Sequence, residues 1–158
     1  MIPGSPYSIH VIEDSPADYL AFHRAVSWAI AQLGGSIEFT HYETTESAFA
    51  ALLDGVRPDL LFIDINLRGE SGLAFLRRLR GDSRISPFPK VILTTSTCEA
   101  DVKESFSEGA AGYLVKPLDY DQLKDSVRTC LEYWFVISRR PALREHGEAA
   151  EGTPPPRC

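Results

Sequence analysis

The chain has 158 residues, with 16 Lys and Arg against 22 Asp and Glu, for a formal net charge of -6. That length suits one domain able to bury roughly two thirds of its unfolded surface, and the acidic balance speaks against general nucleic-acid binding, which needs clustered Lys and Arg. The start, Met1-Ile2-Pro3-Gly4-Ser5-Pro6, lacks a basic and apolar leader, no run is long enough for a membrane span, and Cys98, Cys130 and Cys158 lack metal-ligand spacing, so the expected setting is cytoplasmic.

In chain order, short apolar runs alternate with amphipathic ones, the pattern of βα units around a parallel sheet, and five such units fit. Ile9-His10-Val11-Ile12 is the first strand. Ser15 then caps a helix that opens on Pro16 and runs to about Leu33, stopped by Gly34-Gly35. Residues Ile37 to Tyr42 alternate as a sheet-edge strand, and Thr44 or Thr45 caps a helix to Leu53 with Asp54-Gly55 as its stop. Leu60 to Ile63 has no polar alternation, which predicts a central strand buried on both faces. A helix carrying Leu73, Phe75, Leu76 and Leu79 follows, then the strand at Val91, and then a helix from about Glu99 to Ser107. The mixed face of that helix predicts partial exposure and easy displacement. A last strand, Tyr113-Leu114-Val115, leads to a helix from Tyr120 or Asp121 to about Ser138, with Pro141 as its stop. The expected division is one folded domain over 1-140 and a Glu-, Ala-, Gly- and Pro-rich tail over 141-158, with too little apolar surface to fold without a partner.

Chemistry-bearing residues stand where apolar runs end. Glu13 and Asp14 follow the first strand, Asp64 the third, Thr94 and Thr95 the fourth, and Lys116-Pro117 the fifth. The carboxyl ends of parallel strands share one edge, where open α/β sheets bind and react, so these segments converge on one acidic site. Three crowded carboxylates repel, and a hard divalent cation such as Mg²⁺ is their natural occupant. Carboxylate, hydroxyl and ammonium together point to phosphoryl transfer to Asp64. Taken singly, Asp14 and Asp64 also read as caps and Thr94-Thr95 as ordinary β-formers; their joint arrangement with Lys116-Pro117 is what carries the signal. His10, His23, His41 and His146 have no ligand spacing and read as packing or surface residues.

The segments Val11-Ile12-Glu13-Asp14, Leu61-Phe62-Ile63-Asp64-Ile65-Asn66, Leu93-Thr94-Thr95 and Gly112-Tyr113-Leu114-Val115-Lys116-Pro117, in that order, resemble the receiver domain of two-component response regulators over about residues 7 to 138. The resemblance implies a flavodoxin-like, CheY-like (βα)5 fold, a doubly wound five-stranded parallel sheet. It further implies phosphorylation of Asp64 by a histidine kinase, with Mg²⁺ or Mn²⁺ held by Asp14 directly, by Glu13 through water, by Asp64 and by the backbone carbonyl of Asn66. Lys116 would pair with the phosphoryl oxygens. Thr94 would turn inward to another oxygen, freeing space for Tyr113 to move in and remodel the face of the fourth helix, fifth strand and fifth helix. Thr95 would admit the donor or an attacking water, and a cis Lys116-Pro117 bond would aim the lysine. Asn66 and Ser96 occupy positions that tune hydrolysis. Arg68 stands where the family usually has proline, and Glu13 where aspartate is commoner, with no required group lost. Such a protein assists its own phosphorylation and dephosphorylation and is not an enzyme acting on other substrates.

Two rivals come from other classes. A haloacid-dehalogenase-like phosphatase wants a second aspartate two residues after its nucleophile, where this chain has Asn66. A docking module indifferent to phosphorylation would not need Asp14, Asp64, Thr94 and Lys116 all intact.

The last helix carries a stripe of Leu123, Val127, Cys130, Leu131 and Trp134 at helical spacing, leaving Tyr133, Phe135, Val136 and Ile137 around it. Such a surplus predicts an interface, here a homodimer through Tyr133, Trp134, Phe135, Val136 and Ile137, with the tail crossing onto its partner; the bland alternative is a helix end covered by its own tail. The motif Glu13-Asp14-Ser15-Pro16-Ala17-Asp18, the strand end Leu93-Thr94-Thr95-Ser96 and the finish Glu132-Tyr133-Trp134 resemble the small regulators paired with bacterial phytochrome histidine kinases. That narrower likeness implies a bacteriophytochrome as phosphodonor. With no DNA-binding or enzymatic module expected after residue 138, output would pass through protein contacts or a downstream phosphotransfer protein.

Overall fold

The computed structural model describes residues 6–138. The expected 141-158 tail, its Cys158 and His146, and the Pro141 stop lie outside them. The described chain runs β1 (Tyr7–Ile12), α1 (Pro16–Leu33), β2 (Ile37–Tyr42), α2 (Thr45–Leu53), β3 (Leu60–Ile63), α3 (Gly72–Gly81), β4 (Lys90–Thr94), α4 (Glu99–Ser107), β5 (Gly112–Val115) and α5 (Tyr120–Glu132), closed by a π-helical turn over Tyr133–Ile137. All strand pairs are parallel, in the order β2-β1-β3-β4-β5. The chain therefore winds outward in both directions from β1 and β3, and the crevice of a doubly wound sheet opens at their carboxyl ends.

Local chemistry sets the helix starts. Ser15 Oγ accepts from Asp18 N, Thr44 Oγ1 from Ser47 N, Ser71 Oγ from Ala74 N and Asp119 Oδ1 from Gln122 N, each satisfying a first-turn N–H that has no partner inside the helix. Gly34, at φ 71°, ends α1 in the left-handed conformation. Strand alternation then splits the core. Ile9, Val11, Leu60, Phe62, Val91 and Leu93 face α1 and α5, whereas Ile12, Leu61, Ile63 and Ile92 face α2 and α3. All four residues of β3 are buried, as expected of a central strand.

The carboxyl end of α5 departs from the sequence expectation. The α-helix stops at Glu132, not near Ser138, and the wider π turn changes which side chains point inward. Phe135, expected among the dimer-interface residues, is 4% exposed and stacks on Tyr7 with ring centroids 4.2 Å apart. Trp134 packs part-buried against the core, while Tyr133, Val136 and Ile137 are exposed. Cys130 behaves as the packing residue expected, its thiol pushed up to about 12 by burial.

Helix α4 is held differently from the others, since Ser105 is its only buried residue. Its ties to α3 are ionic: Arg77 reaches Glu104 at 2.8 Å and Glu108 at 3.1 Å, and Arg80 donates to Ser107 O at 2.6 Å. Arg77 and Arg80 of α3 are thus a clamp on α4 and its carboxyl end. Exposed ion pairs of this kind are weak and salt-sensitive. Arg77→Ala is expected to raise amide hydrogen exchange selectively over residues 99–107 while leaving the melting temperature nearly unchanged; uniform exchange across the chain would show that α4 does not depend on the clamp.

Candidate functional site

Three strand ends and one helix start build the site. Glu13 leaves β1 with its N–H on Tyr42 O at 3.0 Å, and Asp64 leaves β3 with its N–H on Ile12 O at 3.2 Å. Both carboxylates are nearly closed off from solvent, Glu13 at 3% and Asp64 at 7% exposure. Lys116 N donates to Thr94 O at 2.7 Å just beyond the paired ends of β4 and β5. From there its ammonium reaches Glu13 Oε2 at 2.5 Å, Asp18 Oδ2 at 3.0 Å and Asp64 Oδ2 at 3.0 Å. No cis peptide bond occurs among the described residues, so the expected cis Lys116-Pro117 bond is corrected to trans. The aim of the lysine comes from these three acceptors.

Burial opposes the Lys116 charge, but the hydrogen bonds and charges of Glu13 and Asp64 outweigh it and hold the ammonium pKa above the ordinary lysine value. Burial raises the Glu13 pKa, opposed by the Lys116 hydrogen bond and by the N–H that Ser15 donates to its carboxylate. One buried ammonium facing three carboxylates leaves the cluster short of positive charge.

Asp18 is the residue that sequence reasoning passed over. Its carboxylate joins Glu13 and Asp64 in a group whose ligand oxygens lie within 4.8 Å of one another. The available signal was its position three residues past the Ser15 cap, in the first turn of a helix that starts at the end of β1. Asp14, expected as a direct metal ligand, is not part of that group and accepts from Arg68 N at 2.9 Å. The donor set nevertheless fits a hard divalent cation: only oxygen ligands converge, and their negative charge exceeds that of Lys116.

A continuous set of hydrogen bonds leads away from Asp64. Asn66 N donates to Asp64 Oδ1 at 3.0 Å, and Asn66 Nδ2 donates to Thr94 Oγ1 at 3.3 Å. Ser96 N donates to the same hydroxyl at 3.3 Å, and Ser96 O accepts from Tyr113 OH at 2.9 Å. Ser96 Oγ donates to Asp101 Oδ2 at 2.5 Å, which brings in the first turn of α4. Thr94 is fully buried and Tyr113 partly so; burial raises the Tyr113 pKa against the pull of its hydrogen bond to Ser96. Thr95, by contrast, is exposed and lines a cavity of about 270 Å³ with Asp18, Phe22, Lys116, Pro117 and Tyr120.

These features describe a doubly wound α/β fold with a lysine-bridged carboxylate site joined by hydrogen bonds to the first turn of α4. Residues 9–128 match the family described as the response regulator receiver domain, and the chain belongs to that family. It is 30% identical over 141 residues to a probable methanogenesis regulatory protein, FilR2, of Methanothrix harundinacea, covering 86% of this chain and 88% of that one. Among solved structures it is similar to the phosphorylated cyanobacterial phytochrome response regulator RcpA, with a TM-score of 0.76 at 26% identity over 87% of this chain and 100% of the other. It is also similar to the Mn(2+)-bound response regulator Rcp1, with a TM-score of 0.74 at 26% identity and the same coverage. The matched region is 41% and 39% of two longer relatives, a sensory transduction protein and a DNA-binding transcriptional regulator. The expected CheY-like fold is the one observed.

Gly72, at the start of α3, fixes where Asp64 sits. A methyl group there would overlap the carbonyl oxygen of Asp64 and crowd Cα of Ile65. Gly72→Ala is therefore expected to cost about 1–3 kcal/mol, as overpacking does, and to displace the loop after β3; a denaturation midpoint equal to wild type would show that α3 backs away freely.

Proposed function

We propose that the chain is a response regulator in a two-component phosphorelay, phosphorylated on Asp64 by a histidine kinase, and that the kinase is a bacteriophytochrome. The observation that carries this reading is the buried Asp64 carboxylate held between Lys116 Nζ and Asn66 N and continued through Thr94 to Tyr113. The likeness to RcpA and Rcp1 supports the choice of donor. Residues 1-140 are the receiver, 141-158 a tail, and the setting is cytoplasmic. Among the described residues no helix is long and apolar enough to cross a membrane.

In the transfer, an Asp64 carboxylate oxygen attacks phosphorus as the bond from phosphorus to the donor imidazole nitrogen breaks, and that nitrogen leaves with the electron pair. Catalysis is mainly positioning and charge stabilisation. Lys116 exchanges a carboxylate partner for the arriving phosphoryl oxygens. Glu13, Asp14, Asp64 and the carbonyl of Asn66, with Asp18 beside them, would hold Mg²⁺ or Mn²⁺, which supplies positive charge to those oxygens when bound. Thr94 turns to the phosphoryl group, giving up its bonds to Asn66 Nδ2 and Ser96 N, and Tyr113 moves into the space. The bond from Ser96 to Asp101 passes that change to α4, whose ionic clamp yields at low cost. Thr95 borders the route by which donor and water reach the site. Intact mass after incubation with Mg²⁺ and acetyl phosphate is expected to show a labile adduct on the wild type and none on Asp64→Asn; an adduct that persists on Asp64→Asn moves the acceptor elsewhere.

Output passes by protein contact, either to a downstream phosphotransfer protein or through a homodimer. The dimer rests on Tyr133, Val136 and Ile137, 51%, 43% and 67% exposed, beside a groove of about 690 Å³ that Tyr113, Leu114, Cys130 and Trp134 help to line. Exposed apolar residues continuous with a groove are the usual mark of an interface. Phe135, committed to the core against Tyr7, braces the turn that presents them. Sedimentation is expected to give a dimer for the wild type and a folded monomer for Ile137→Glu; a monomeric wild type at all concentrations would end the dimer proposal.

A further inference from the structure

The geometry points to His41 as a positioning residue for the acidic site, fixing Glu13 by donating a ring N–H to its main-chain carbonyl. This rests on the metal-binding, phosphoacceptor reading of that site and adds a residue from outside it.

Strand β2 holds Glu13 at both of its backbone groups. In the parallel register Val11 pairs with His41 and Ile12 with Tyr42. Just past that pairing, Glu13 N donates to Tyr42 O at 3.0 Å. Its carbonyl oxygen lies 2.7 Å from His41 Nε2. A carbonyl can only accept, so Nε2 carries the proton. The ring is itself held, stacked on Tyr19 of α1 with centroids 3.7 Å apart and planes 6° from parallel. Tyr19 directly follows Asp18, whose carboxylate reaches Lys116.

One imidazole thus joins the two segments that deliver Glu13 and Asp18 to the cluster. The Glu13 side chain is fixed at its far end by Ser15 N and Lys116 Nζ. With the main chain pinned by β2 as well, its carboxylate has little freedom. Groups that orient a ligand residue without touching the ligand typically matter to metal affinity by about 10–100-fold. His41 fits that role because its bond goes to the backbone of Glu13 and its stack to α1, so the charge of the site is unaltered by replacing it.

The test is Mn²⁺ titration of the full chain, followed by the paramagnetic resonance signal of free Mn²⁺, for wild type, His41→Phe and His41→Gln. Phenylalanine keeps a ring on Tyr19 and removes the donor; glutamine restores a side-chain N–H at similar reach. His41→Phe is expected to bind Mn²⁺ about tenfold more weakly, His41→Gln to recover most of the loss, and the metal-free melting temperatures of the two variants to be alike. Wild-type affinity in His41→Phe would overturn the role, as would a His41→Gln as weak as His41→Phe. Failure of the parent reading looks different: a wild type that binds no Mn²⁺, or an Asp64→Asn that binds it as tightly as wild type, removes the metal site and this inference with it.

Discussion

Everything in this molecule turns on the charge balance around Lys116. Its ammonium is enclosed by Glu13, Asp18 and Asp64, contributed by β1, α1 and β3, while its own backbone is bonded to the end of β4. Burying that many charges is costly, and the attraction between them offsets the cost only when each is paired with good geometry. The sheet provides the geometry, because β1, β3, β4 and β5 end side by side. The remaining excess of carboxylate makes the cluster receptive to a divalent cation and to a lysine that can change partners.

Asp64 is linked both to this cluster and, through hydrogen bonds, to the lightly attached helix α4. Its second oxygen accepts from Asn66, and from there bonds run through Thr94 and Ser96 to Tyr113 and Asp101. A new charge at Asp64 has a short physical route to α4. The amphipathic α5 buries Leu123, Val127 and Leu131, whereas α4 rests on arginine pairs at the surface. In the proposed phosphorelay, that difference in attachment would make α4 the helix that responds. A hydrophobic contact holds until its area is exposed, but exposed ion pairs rearrange at little cost.

The rival phosphatase reading gains nothing from the geometry. Asn66, in the place where a second aspartate would be needed, spends its amide on Thr94 and its N–H on Asp64. A pure docking module would have no use for buried Glu13 and Asp64 carboxylates bridged by a lysine. Membership of the receiver family and the similarity to RcpA and Rcp1 support the phosphoacceptor reading proposed for Asp64 over both rivals.

The sequence by itself determined the order of elements, their caps and which residues stand at strand ends. Those follow from local rules: apolar periodicity, Ser, Thr or Asp at helix starts, and Gly or Asp-Gly at stops. Glu13, Asp14, Asp64, Thr94 and Lys116 were legible as site candidates because parallel strands must share an edge. Tertiary structure alone decided that Asp18 faces Lys116 while Asp14 turns to Arg68, since side-chain direction at a loop depends on neighbours distant in sequence. It also decided that Phe135 enters the core, because a π turn changes the register that ordinary helical spacing assumes. His41 carried no motif at all. Its bond to Glu13 exists because β2 lies beside β1, a pairing that sequence order leaves unspecified.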